Sequence, residues 1–171
     1  QKGVDFEVFD ELPFWFNGRG VINKLRRTAK VYDCASGELT AITEPNFDVK
    51  DARLSPGHDK VLYCGAEPLD GVDRQQGGLW LYDLATRKTR TLVPQSGMSV
   101  GNICYTTGYV FFTGHKHEWP GKNPGYYRVD LQSGEVCELP FPDADVGDGV
   151  STDSAYGGGR TLKYSVGRIY M

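Results

Sequence analysis

The chain is expected to be all-β, a partial β-propeller of about 3.5 four-stranded antiparallel blades, on three observations. First, a strand–turn–strand stretch occurs three times: AKVYDCASGELTAIT at 29–43, LWLYDLATRKTRTLV at 79–93 and YYRVDLQSGEVCELP at 126–140. Without gaps, these copies put Asp33, Asp83 and Asp130 at one position, 50 and then 47 residues apart. A polar turn follows three residues later, and Ile42, Leu92 and Leu139 coincide near the end. Self-similarity at that period, in β-type sequence, is the signature of a propeller or a related array. Second, Val49, Val100 and Val146 follow their aspartates by 16, 17 and 16 residues, so the register holds at an independent place. Third, no window of 11 residues keeps the i, i+3, i+4, i+7 apolar stripe of a helix free of Gly or Pro.

Taken in order, the first blade is expected over about 5–43. Its apolar clusters are FEVF at 6–9 and PFWF at 13–16, broken by Asn17-Gly18, a strong turn signal between strands. Phe14, Trp15 and Phe16 are expected to pack between sheets, and strands at Val31-Tyr32 and 38–43 complete the unit. The second blade, 49–93, opens at Val49–Leu54, turns at SPGHDK (55–60) and returns through Val61-Leu62-Tyr63-Cys64. That continuous apolar run is expected of a strand buried on both faces. A glycine-rich loop at 65–78 leads to strands 79–84 and 89–93. The third blade, 99–140, repeats the plan with strands 100–106, 109–113, 126–131 and 135–139 and a long loop at 115–125. A half-blade over 146–171 ends the chain.

Composition bounds the function. The 171 residues are 39% apolar and 24% charged, with 22 glycines and 9 prolines, as expected of a globular chain of short strands and turns. A net charge of −3 without a basic stripe gives no footprint for nucleic acid. No apolar run approaches the ~20 residues that span a bilayer, and the start QKGVDFEVFDE has no apolar signal-peptide core. Gln1 in place of an initiator Met is expected of an excised or processed segment. Cys34, Cys64, Cys104 and Cys137 are too far apart for a zinc knuckle or a redox dithiol. Each is read as a reduced packing residue inside a strand, in a cytoplasmic protein.

Motifs with chemical content are few, and each meets a plainer reading. Gly97-Met98-Ser99-Val100-Gly101 matches G-x-S-x-G, which in hydrolases needs a strand, a strained turn and then a helix. NICYTTGYVFF follows instead, so 97–101 is read as a blade-to-blade connector and no catalytic residue is assigned. His115 and His117, with Glu118 alongside, could project together from an extended loop, but no third ligand follows from spacing. The cluster Asp143, Asp145, Asp148 and Asp153 lacks the ligand spacing of a calcium loop. Gly157-Gly158-Gly159-Arg160 lacks the helix that a phosphate cradle opens. Neither a metal nor another cofactor is expected. Asp51, Arg53 and Asn102, on the opening strands of blades two and three, are candidates for a channel wall by position alone.

LPFWFNGRGVIN (12–23), the LYDL…TRTL repeat, the SPGHDKVLY turn and TDSAYGGGRTLKY (152–164) resemble the propeller of prolyl oligopeptidase-family serine peptidases. The likeness is greatest to bacterial acylaminoacyl-peptidase-type members. It implies a propeller that caps a separate α/β-hydrolase domain and admits only small or flexible peptides to its active site. This segment itself would have no catalytic machinery. An alternative is a kelch- or WD-like interaction fragment with no peptidase partner, although the GH…WD signature is absent. A third is a small free-standing hydrolase using Ser99. Half of a ring would leave strand edges and an apolar blade face exposed, so self-association of two copies is expected.

Overall fold

The computed structural model describes residues 8–9, 11, 15–67, 77–116, 123–140 and 162–170. Among these, all regular structure is antiparallel β. Strand β1 (Trp15–Phe16) turns through Asn17-Gly18 into β2 (Gly20–Val21), and β3 (Lys30–Tyr32) pairs with β4 (Leu39–Ala41). Strands β5 (Asp48–Leu54), β6 (Lys60–Ala66), β7 (Gly78–Asp83) and β8 (Lys88–Val93) form a four-stranded meander in that spatial order. A second meander has the same order: β9 (Met98–Tyr105), β10 (Tyr109–Lys116), β11 (Gly125–Asp130) and β12 (Val136–Leu139). The hairpin β13 (Lys163–Ser165) and β14 (Arg168–Tyr170) ends the described chain.

The first unit departs from the four-stranded blade anticipated there: β1–β2 and β3–β4 are separate two-stranded sheets. The link between them runs beside the start of β5 instead of joining a ladder. Arg27 N–H donates to Asp48 Oδ1 at 2.8 Å, Val49 N–H donates to the Arg27 carbonyl at 2.8 Å, and the Arg27 guanidinium reaches Asp48 Oδ2 at 3.1 Å. Trp15 is 52% exposed and so does not pack between sheets as expected. Phe14 and the side chain of Phe16 lie outside the described residues.

Each meander buries both faces. Along β6 and β7 the side chains alternate between two cores. Leu62, Cys64, Leu79 and Leu81 meet Val100, Ile103, Val110, Phe112, Tyr127 and Val129 of the second meander. Val61, Tyr63 and Tyr82 point the other way, onto Ile42, Phe47 and the β3–β4 hairpin. There Phe47 stands edge-on to Tyr63 and Trp80, at ring separations of 5.7 and 5.0 Å. Edge-to-face aromatic pairs of this kind add about 0.5–1.5 kcal/mol beyond area burial. The outer face of the second meander, through Cys104, Phe111 and Tyr126, packs against Leu162, Tyr164 and Ile169. The apolar run Val61–Cys64 is buried throughout, as the sequence predicts for a strand covered on both sides.

The three repeated aspartates do the same work in three places. Asp33 Oδ1 accepts from the amides of Ala35 and Ser36, both at 2.8 Å. Asp130 Oδ1 accepts from Gln132 and Ser133 at 2.8 and 2.7 Å. Asp83 Oδ1 takes the Thr86 amide at 2.8 Å and its hydroxyl at 2.9 Å. Such Asx turns satisfy amides that the reversing backbone would otherwise leave unpaired. The fifth residue of each turn has positive φ: Gly37 at 75°, Arg87 at 56° and Gly134 at 79°. The residue after the aspartate adds a second lock in the two full meanders. Leu84 N–H donates to the Asp59 carbonyl and Leu131 N–H to the Gly108 carbonyl, each at 3.0 Å. Each bond ties the third-to-fourth strand turn to the first-to-second strand turn of its own blade.

Two outcomes follow. Phe112 is fully buried between the meanders, so Phe112→Ala should lower the unfolding free energy in urea by about 3–5 kcal/mol. The amide bonds hold the carboxyls of Asp33, Asp83 and Asp130 below the usual 3.8. A depressed folded-state value stabilises the fold above the unfolded pKa, and that stability is lost as pH falls through the folded one. The urea midpoint should therefore drop as pH is lowered below about 4, and less steeply in the triple variant Asp33→Asn, Asp83→Asn, Asp130→Asn, whose amide oxygens still cap the turns.

Candidate functional site

The opening strands β5 and β9 pack against one another across the blade interface, each at the edge of its own meander. Both carry an irregularity where the ladder to the second strand slips. In β5 the slip lies between Val49 and Asp51, so Lys50 is the extra residue. In β9 it lies between Gly101 and Cys104, and Asn102 there has φ +39°. A bulge bends a strand and re-aims the side chains beside it, and such devices concentrate near functional sites.

The three residues anticipated for a channel wall all lie on these two strands. Asp51 and Arg53, two apart and therefore on one side of β5, are joined by an ion pair of 2.7 Å, with both side chains about a quarter exposed. Asp51 Oδ1 also accepts the Ala52 amide at 2.8 Å. Asn102 is half-buried on β9. Lys50, which the sequence did not single out, reaches across the interface, its Nζ 3.4 Å from Ser99 Oγ. Beside it, Val100 N–H donates to the Gly77 carbonyl at 3.1 Å, and Gly77 and Ser99 form a parallel bridge. The two strands thus present a ridge of charged and amide groups that can hold polar backbone or charged ends of a ligand.

Ser99 is not on a nucleophile turn. It lies in the regular strand β9 with His115 opposite it on β10, and strand continues past Gly101. Residues 98–101 are therefore the start of β9 rather than a connector between blades, and only Gly97 lies in the turn before it. His115 likewise sits in β10, which extends to Lys116, and not in a loop. His117 and Glu118 lie outside the described residues, as do Asp143, Asp145, Asp148, Asp153 and Gly157–Arg160. Among the described residues no three His, Cys, Asp or Glu side chains converge as metal donors do.

No family model and no curated protein matches the chain. Among solved structures it is similar to TolB from Acinetobacter baumannii, at 18% identity and TM-score 0.51, over 66% of this chain and 26% of that one. The fold is a partial β-propeller. At that identity the likeness concerns architecture alone, and the chain spans about a quarter of the length of that relative. It is also similar to a putative TolB from Agrobacterium tumefaciens (13% identity, TM-score 0.48, covering 64% of this chain and 39% of that one). An oligogalacturonate lyase in complex with manganese gives 19%, 0.47, 64% and 32% for the same measures. In a propeller the opening strand of each blade is the innermost, and here the opening strands are β5 and β9.

The cysteines divide by environment, and all four are free thiols. Cys64 is fully buried, and burial pushes its thiol up to about 11. Cys104 is also buried and raised for the same reason. Cys137 is half-buried on β12. Cys34 departs from the reading of all four as strand packing residues: it follows the turn aspartate Asp33 and is exposed in that turn. The thiolate is the reactive form, so a chromogenic disulfide reagent at pH 8 should label Cys34 first in the folded chain. Cys64 should react only on unfolding.

Proposed function

We propose that this chain is the non-catalytic propeller portion of a serine peptidase of the prolyl oligopeptidase type, close to the acylaminoacyl-peptidase members. It gates access of peptides to a separate α/β-hydrolase domain. The observation that carries the reading is the polar ridge on the innermost strands: Asp51 paired with Arg53 on β5, and Asn102 at the bulge on β9. The likeness of LPFWFNGRGVIN and SPGHDKVLY to that family's propeller supports it.

The mechanism is steric and electrostatic. A ring of blades leaves a narrow axial passage whose wall is built from innermost strands. Folded proteins are too wide to enter, whereas an extended peptide passes. Charged pairs along the wall replace part of the hydration that a peptide backbone loses on entry. The partner in this reading is the hydrolase domain of the parent chain, and peptides are the substrates.

Two measurements test it. The 171-residue chain should not hydrolyse a chromogenic acyl-peptide, and Ser99→Ala should leave that result unchanged. In the longer protein encoded by the same gene, Asp51→Trp should lower kcat/KM for a peptide of about 20 residues at least ten-fold more than for a dipeptide substrate. Absence of a hydrolase domain from that gene, or equal effects on both substrates, would overturn the proposal.

A further inference from the structure

A groove of about 560 Å³ opens where the end of β5, the turn at 55–59, the end of β9 and the β13–β14 hairpin meet. That is within the usual range for small-ligand sites. Its floor is apolar, with Ile103 and Leu162 buried, while Leu54 on its wall is 51% exposed. Its charged side chains are cationic: Arg53 and Lys163 line it, with His58 beside them, and no carboxylate does among the described residues. The nearest carboxylates are already engaged. Asp51 holds Arg53 at 2.7 Å, and Asp59 is held by Lys60 and by the Ser55 hydroxyl at 2.8 Å. The ion pair with Asp51 orients the Arg53 guanidinium without using all five of its N–H donors. Thr107 and Tyr164, whose hydroxyls lie 3.4 Å apart, add donors on the hairpin side.

We infer that this groove takes the C-terminal carboxylate of a short apolar peptide. The carboxylate lies between Arg53 and Lys163, and the terminal side chain rests on Ile103, Leu54 and Leu162. Planar, forked guanidinium donors match a carboxylate. The apolar floor would be left wet by a bare inorganic anion and is covered by an aliphatic side chain. The site goes beyond the gating role, since it belongs to this chain alone and is read out without any hydrolase domain.

Calorimetric titration of the chain with N-acetyl-Ala-Ala-Leu and with its C-terminal amide tests this. The acid should bind at least ten-fold tighter than the amide, the difference expected for a charge-assisted contact. Arg53→Gln and Lys163→Gln should each weaken the acid about five- to ten-fold and leave the amide unchanged. Lys88→Gln on β8 serves as the control and should change neither. Lys163 is exposed, so its replacement tests the site even where Arg53→Gln disturbs the Asp51 pair; near-UV circular dichroism reports the fold of each variant. Raising salt from 50 to 500 mM should weaken only the acid. Equal binding of acid and amide, no binding of either, or acid binding by both variants as strong as that of the parent chain would overturn the inference. So would N-acetyl-Ala-Glu-Leu-amide binding as tightly as the free acid, since the carboxylate would then not need to be terminal.

Discussion

Neither four-stranded meander is finished until something covers both of its faces. A solitary four-stranded meander with Val61, Leu62, Tyr63 and Cys64 in succession on one strand would leave an apolar surface in water on one side or the other. Burial at about 25 cal/mol per Å² of apolar surface is the main favourable term in folding, and here it can be gathered only by stacking. The β3–β4 hairpin, the two meanders and the β13–β14 hairpin are layers in such a stack, and the three apolar cores are the joints between them. The central joint holds the largest fully buried side chains, Phe112 and Leu62. Blade stability is therefore shared between neighbours, as in other arrays of repeated units.

The polar repeat acts on the chain within each layer. An Asx turn reverses the outer pair of strands, and a backbone bond from the next residue fastens that reversal to the turn of the inner pair. Side chains bridge the layers at the rim: the Arg90 guanidinium donates to the Leu131 carbonyl at 2.8 Å, joining the two meanders. At 67 and 95, the Gln95 amide group takes the Glu67 N–H and donates to the Glu67 carbonyl, at 3.0 and 2.8 Å. A side-chain amide there pairs with the backbone much as a neighbouring strand would. These contacts add directional specificity to a stack that apolar burial alone would leave free to slide.

The proposed function rests on the opening strands β5 and β9, whose ladders to their second strands each carry a slip. The extra residue in β5 and the positive φ of Asn102 in β9 break the regular alternation of these two strands. The same strands end at the basic groove, so Arg53 belongs both to the ridge and to the groove lining. A peptide threading along the ridge and one held by its terminus in the groove would meet the same guanidinium. In the proposed reading, Arg53 therefore serves both passage and retention.

By itself the sequence determined the β class, the repeat and the position of its turns. Asp33, Asp83 and Asp130 report local chemistry, an acceptor two or three residues from the amides it satisfies, and local chemistry survives in a one-dimensional pattern. The two-faced burial of 61–64 was legible for a similar reason, since period-2 alternation collapses where both faces are covered. Tertiary structure decided the rest. β1–β2 and β3–β4 are separate sheets, and the link between them bonds instead through Arg27 to Asp48, 21 residues away. That Cys34 is exposed depends on its place two residues beyond the end of β3, within a turn. The ridge and the groove exist only because β5, β9 and the β13–β14 hairpin meet in space, bringing Arg53, Ile103 and Lys163 together. Nothing in their spacing along the chain records that meeting, because packing of distant strands is set by the stack as a whole.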